Sequence, residues 1–177
     1  MSQLRTNSIV PVGGIPAGAD GGGIIQVVQT QLTSIVTIAG ASFSDITGLS
    51  ASITPRSTSS KILVCWQVTT NANTQNLTIA FRLMRGATAI NVGDAAGSRL
   101  RATAASSTVG GGDHPLTHSG TFLDSPATTS STTYKLQLAT ESGQTTVVNR
   151  NNNADTDGTD PKFSRYASNI ILMEVSG

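Results

Sequence analysis

The sequence predicts an all-β protein: a jelly-roll-like antiparallel β-sandwich behind an extended amino-terminal arm. Three observations lead there. Apolar residues recur at every second position in run after run, the period of a half-buried strand. Gly, Pro, Asn, Asp and Ser turns separate these runs at about the spacing of sandwich strands. Charged residues make up only 12% of the chain and aromatics 4%, so hydroxyls and amides cover the surface, whereas exposed helix faces usually carry Lys, Glu and Arg. A length of 177 residues supports one domain with a sizeable core.

The balance of charge excludes some function classes. A formal net charge of +1 with no basic stripe offers nothing to a phosphate backbone, so nucleic acid is not an expected partner. The single Cys65, inside the run Ile62 to Val68, reads as a small core residue, and one cysteine cannot build a disulfide framework or a cysteine-based metal site within one chain. No run approaches the ~18 apolar residues of a membrane span, and Met1 to Asn7 has no apolar leader. The expectation is a soluble protein, made without a classical export signal and not inserted in a membrane.

Taken in order, residues 1–23 stand apart. Small apolar residues alternate there with Pro and Gly, and Gly21, Gly22 and Gly23 close the segment. Such a stretch cannot make a helix or a core alone. Yet Leu4, Ile9, Val10, Pro11, Val12, Ile15 and Pro16 would be wasted in a solvated tail, so the segment reads as an anchoring arm lying against another protein. Residues 24–177 are then the head. Short strands are expected at Ile25 to Thr30 and Ile35 to Ile38. The next run places Phe43, Leu49, Ala51 and Ile53 on one phase, with Ile46 breaking it once; beyond Pro55 and a polar turn, Ile62, Val64, Trp66 and Val68 restart the alternation. This pair reads as a hairpin.

A second hairpin follows at Leu77 to Met84 and Thr88 to Val92, turning at Arg85-Gly86. Residues 93–118 are irregular, with a weak strand signal near Ser98 to Thr103; a long loop of this kind is a place to expect recognition. Order returns at Gly120 to Pro126. Thr133 to Leu138 and Thr145 to Asn149 read as a third hairpin across Glu141-Ser142-Gly143, before a polar loop from Asn149 to Asp160. The final strand, Ala167 to Val175, carries Ile170, Ile171, Leu172 and Met173 without alternation. A strand apolar on both phases belongs in the middle of a sheet or between subunits, so these four are expected in the core or at a subunit interface.

The runs Phe43 to Pro55 and Ser57 to Val64, with Phe81 to Gly86, Phe122 to Pro126, Thr132 to Lys135, Ile170 to Val175 and the opening Leu4 to Pro11, together resemble a β domain. It recurs in fibre-like and other structural proteins of tailed bacteriophages, many of them marine or infecting cyanobacteria. The resemblance spans most of the chain. It implies a homotrimeric virion appendage, made in the host cytoplasm, with the arm attached to other virion proteins and the head facing a host surface glycan or protein. The stretch Ala102 to Gly112 and the Cys65-Trp66 pair match no part of that pattern, which leaves the ligand of the head unassigned. A capsid decoration or head fibre remains open beside a tail fibre, as does a free carbohydrate-binding β module.

Catalysis and metals are not expected, and no cofactor is implied. His114 and His118, in Asp-His-Pro-Leu-Thr-His, would share a face at i and i+4, but Pro115 opposes a helix, and on an extended chain they stand ~13 Å apart. They read as loop histidines. Asp155, Asp157 and Gly158 faintly resemble a calcium loop but lack the distal Glu and flanking helices of an EF-hand, which favours a solvated turn. No Gly-x-Ser-x-Gly elbow is present, and no carboxylate pair stands out among ten Asp and Glu. Trp66 shares its phase with core residues, so it is expected to pack rather than stack on a sugar.

Overall fold

In the computed structural model, which describes residues 23–107, 114–151 and 158–177, alternation becomes eleven strands among the described residues. They are β1 (Ile24–Leu32), β2 (Val36–Ala39), β3 (Ser44–Ile53), β4 (Lys61–Ala72), β5 (Thr78–Arg85), β6 (Thr88–Ile90), β7 (Ala104–Ser107), β8 (Leu116–Asp124), β9 (Thr132–Ala139), β10 (Thr145–Val148) and β11 (Ser168–Val175). Two antiparallel sheets pack face to face. The larger runs β1-β11-β4-β8, with short β10 and β2 continuing beside the end of β4; the smaller runs β3-β9-β5, with β6 and β7 beside β5. From β3 to β5, and again from β8 to β10, successive strands alternate between the sheets, as in a jelly roll. Residues 1–22 of the arm lie outside the described residues.

This alternation corrects two of the three expected hairpins. β3 pairs with β9 in the smaller sheet while β4 sits in the larger, so residues 54–60, with Pro55 buried, cross between layers instead of turning back. Likewise β9 and β10 lie in different sheets. Periodicity reports which side of a strand is buried and says nothing of its partner. The second hairpin is present, with Arg85 opposite Thr88. The weak strand near Ser98 to Thr103 is loop, and the strand that pairs with β5 begins at Ala104.

The phase break at Ile46 also has a cause. The β3–β9 register shifts between Asp45 and Ser50, and Gly48 takes φ +86°, a left-handed conformation that costs glycine little. The bulge lets both Ile46 and Leu49 face the core, while Phe43 lies outside under Arg82.

Between the sheets lie Leu49, Ile53, Ile62, Val64, Trp66, Val68, Phe81, Leu136, Leu138, Ile170 and Leu172, all buried. Trp66 is therefore a core residue, 5.7 Å from Phe81 between ring centroids. Its room comes from Gly120, directly opposite on β8, where an added Cβ would lie 2.7 Å from the indole. Cys65 departs from its expected place: it points away from the core and is partly exposed, because the even positions of β4 face inward.

Polar pins complete the interior. Asp124 accepts from Arg85 Nη1 at 2.9 Å and from the Tyr134 hydroxyl at 2.6 Å, tying β8 to the opposite sheet. Burial and the Asp124 carboxylate push the Tyr134 phenol far above its ordinary pKa. Asn149, at φ +66°, donates to the carbonyls of Leu32 (2.8 Å) and Ser34 (3.0 Å) and accepts from the Ser168 hydroxyl (2.6 Å).

Candidate functional site on the outer face of the larger sheet

Because β-strand side chains alternate, each sheet has an outer face as well as a core face. In β11, Ser168, Ile170, Leu172 and Glu174 point inward, and Asn169, Ile171, Met173 and Val175 point out. Of the four residues assigned to core or interface from the sequence, Ile170 and Leu172 are thus core, and Ile171 and Met173 lie on the outer face, partly covered. The strand is central, between β1 and β4.

Register then sets the pattern of that face. Val27 stands beside Met173, Met173 beside Leu63 and Leu63 beside Leu123, an apolar row crossing all four long strands. The next row reads Gln29, Ile171, Cys65 and Thr121, and the third is fully polar: Gln31, Asn169, Gln67 and Ser119. On the other side of the row, Ile24 stands beside Val175. The ends of the row are its most open points, Val27 at 58% and Leu123 at 47% exposure, and Ile24 is exposed at 54%. Four strands about 4.8 Å apart and two to three rows about 7 Å apart make an apolar patch on the order of 300 Å². That is the scale of an interface centre, with the amide and hydroxyl row as its rim.

The edges of this sheet are long, and apart from a register shift in β1 between Ile24 and Gln26 they are regular. β1 and β8 are nine residues each and contain neither Pro nor Lys. Among the described residues β1 pairs only with β11, and β8 only with β4. The smaller sheet ends differently: one edge is interrupted within the strand by the bulge at Gly48, and the other is split between three-residue β6 and four-residue β7. Short strands and bulges blunt an edge against pairing.

His118 has structural partners. His118, expected in a loop, lies within β8; its ring packs on Phe81 at 4.6 Å between centroids and is bracketed by the hydroxyls of Thr70 (3.0 Å) and Ser106 (3.3 Å). Burial lowers its pKa. His114 is exposed at the start of a described segment. Among the described residues no three His, Cys, Asp or Glu side chains gather as metal ligands, and no helix is long and apolar enough to cross a membrane. Asp155 and Asp157 lie outside the described residues, as do the arm residues Leu4, Ile9, Val10, Pro11, Val12, Ile15 and Pro16.

Sequence reasoning missed the outer row as a site. Leu63 and Leu123 sit on the phase opposite their core neighbours, a signal visible in the runs, but only register reveals that they meet Val27 and Met173.

No protein-family model matches the chain, and no curated protein matches it. Solved structures of infectious bursal disease virus do. The structure of the Gx strain has a TM-score of 0.42 at 16% identity, over 92% of this chain and 41% of that one. The VP2 subviral particle has a TM-score of 0.45 at 13% identity, over 97% and 47%. The chain spans less than half the length of the structures it matches.

Proposed function

We propose that this protein is a structural subunit of a bacteriophage virion: a homotrimeric fibre or knob held on the particle by residues 1–23 and displaying its β-sandwich head for host attachment. Its mechanism is binding, not catalysis. The observation that carries this reading is the outer face of the larger sheet, a row of Val27, Met173, Leu63 and Leu123 left facing outward in a chain otherwise rich in hydroxyls. A sheet face of this kind suits a subunit that buries it in an assembly. The sequence resemblance to phage fibre-like β domains supplies the setting.

The polarity of the head supports the same reading. The arm joins β1 at the end of the sandwich where Val175, Lys61 and Asp124 lie. The connections between β7 and β8 and between β10 and β11 leave from the opposite end, marked by Leu32, Thr70, Leu116 and Ser168. An arm held by the particle would thus direct those loops outward, toward a glycan or protein on the host.

Two measurements test this. Deleting residues 1–23 should leave a folded trimeric head that no longer joins particles; a truncated head that falls apart would instead place the arm in the trimer. Antibody labelling of virions should mark the tail. Label on capsid vertices or faces selects a head decoration or head fibre, and a monomer that binds glycans without the arm selects a free carbohydrate-binding module.

A further inference from the structure

The geometry points to a specific contact within such an assembly: we propose that β8 of one copy pairs antiparallel with β1 of the next, so that the larger sheet runs on from subunit to subunit. The proposal rests on the homotrimeric reading and names the strands that make it.

Strand polarity permits it. β1, β11, β4 and β8 alternate in direction, so after four strands a neighbour related by rotation about an axis along the strands presents its β1 antiparallel to β8. Both edges are nine residues long, and β1 is regular from Gln26 to Leu32 beyond the register shift at its start; antiparallel edges of similar length are natural templates for each other.

Side-chain pairing agrees with it on both faces. If the rows of one copy continue into the next, Leu123 meets Val27, Thr121 meets Gln29 and Ser119 meets Gln31. The two open ends of the apolar row cover each other, and hydroxyls face amides. On the inner face the same register sets Phe122 beside Val28, two residues that border the core and are only partly buried. Pairing β8 with a second β8 is worse: centred on Gly120, it sets Leu123 opposite Thr117 and Phe122 opposite His118. The contact is heterologous and must therefore close into a ring or run on as a filament. A ring of three that curves toward the outer face turns the three apolar rows toward a common axis.

Disulfide trapping reads this directly. In a Cys65→Ser background, Gln29→Cys and Thr121→Cys place both thiols on exposed positions. Within one chain these sit three strand spacings apart, about 14 Å, too far to join, whereas facing residues of a paired edge lie about 4.5–5.5 Å apart between Cα atoms, within disulfide range. The expected result is a covalent trimer on a non-reducing gel from the double variant and no ladder from either single variant, with unchanged sedimentation. A trimer in sedimentation that fails to link overturns the edge pairing and leaves the assembly reading intact. A monomer overturns both. Dimers linked by Thr121→Cys alone also overturn the proposal, in favour of β8 against β8.

Discussion

The outer faces of the two sheets obey the same alternation, yet they are finished in opposite ways. On the smaller sheet Lys135 reaches Asp45 at 2.7 Å, Gln137 donates to the other Asp45 oxygen at 2.9 Å, Ser52 pairs with Thr133, and the Arg82 guanidinium lies 3.7 Å over the Phe43 ring. Its edges are bulged or cut short. The larger sheet carries an apolar row and two long edges, of which β1 is irregular only at its start. In a chain with so few charges, their placement is informative: polar side chains close one surface within the molecule, while an apolar row stays open on the other.

The sharpest way to break this comparison lies on β11, which serves both sides of the larger sheet. Leu172→Ala should cost about 3 kcal/mol, as for a fully buried leucine, while Met173→Ala next to it should cost less than about 1 kcal/mol in the dilute monomer. Urea unfolding of both variants measures the difference, and equal losses would mean that the two faces are not distinct. Gly120→Ala should come next, at about 2 kcal/mol, because its methyl would enter the space held by the Trp66 indole.

On the smaller sheet, Arg82→Ala and Lys135→Ala should each cost below about 1 kcal/mol and leave the sedimentation of the protein unchanged, with the Lys135 effect fading in salt. A change of oligomeric state in either would move the interface to the wrong sheet. The smallest effect is a pH dependence from the inner side of β8. Burial holds the His118 pKa below the ordinary histidine value of about 6.5, so the unfolded chain takes up this proton first. Stability present above about pH 6.5 is lost as pH falls through the folded pKa. His118→Gln should flatten that slope in thermal melts, and a slope unchanged by the substitution would reject the assignment.

Much of the fold was legible because alternation is a local signal. The all-β class, the Trp66 phase and the central position of the last strand follow from residues two apart. Partners were not legible, because β3 finds β9 and β1 finds β11 across most of the chain, a choice made by packing of the two layers. The bulge at Gly48 explains why Ile46 looked out of phase. Asn149, read as part of a solvated loop, is fully buried, and nothing local announces that its amide will hold the carbonyls of Leu32 and Ser34. The candidate site was half visible: Ile171 and Met173 were singled out, but the row they belong to exists only once four strands are in register.

The meeting of Gly23 and Ser176, whose backbones bond at 3.1 Å beside the Ile24–Val175 pair, has a mechanical consequence. Tension applied between these two points would open β1 from β11 one bond at a time, like a zipper. Tension between Gly23 and the loops at the far end instead loads the whole ladder, from Ile24–Val175 to Leu32–Ser168, in shear. A head held at Gly23 and pulled from that far end would be stressed along its stronger direction.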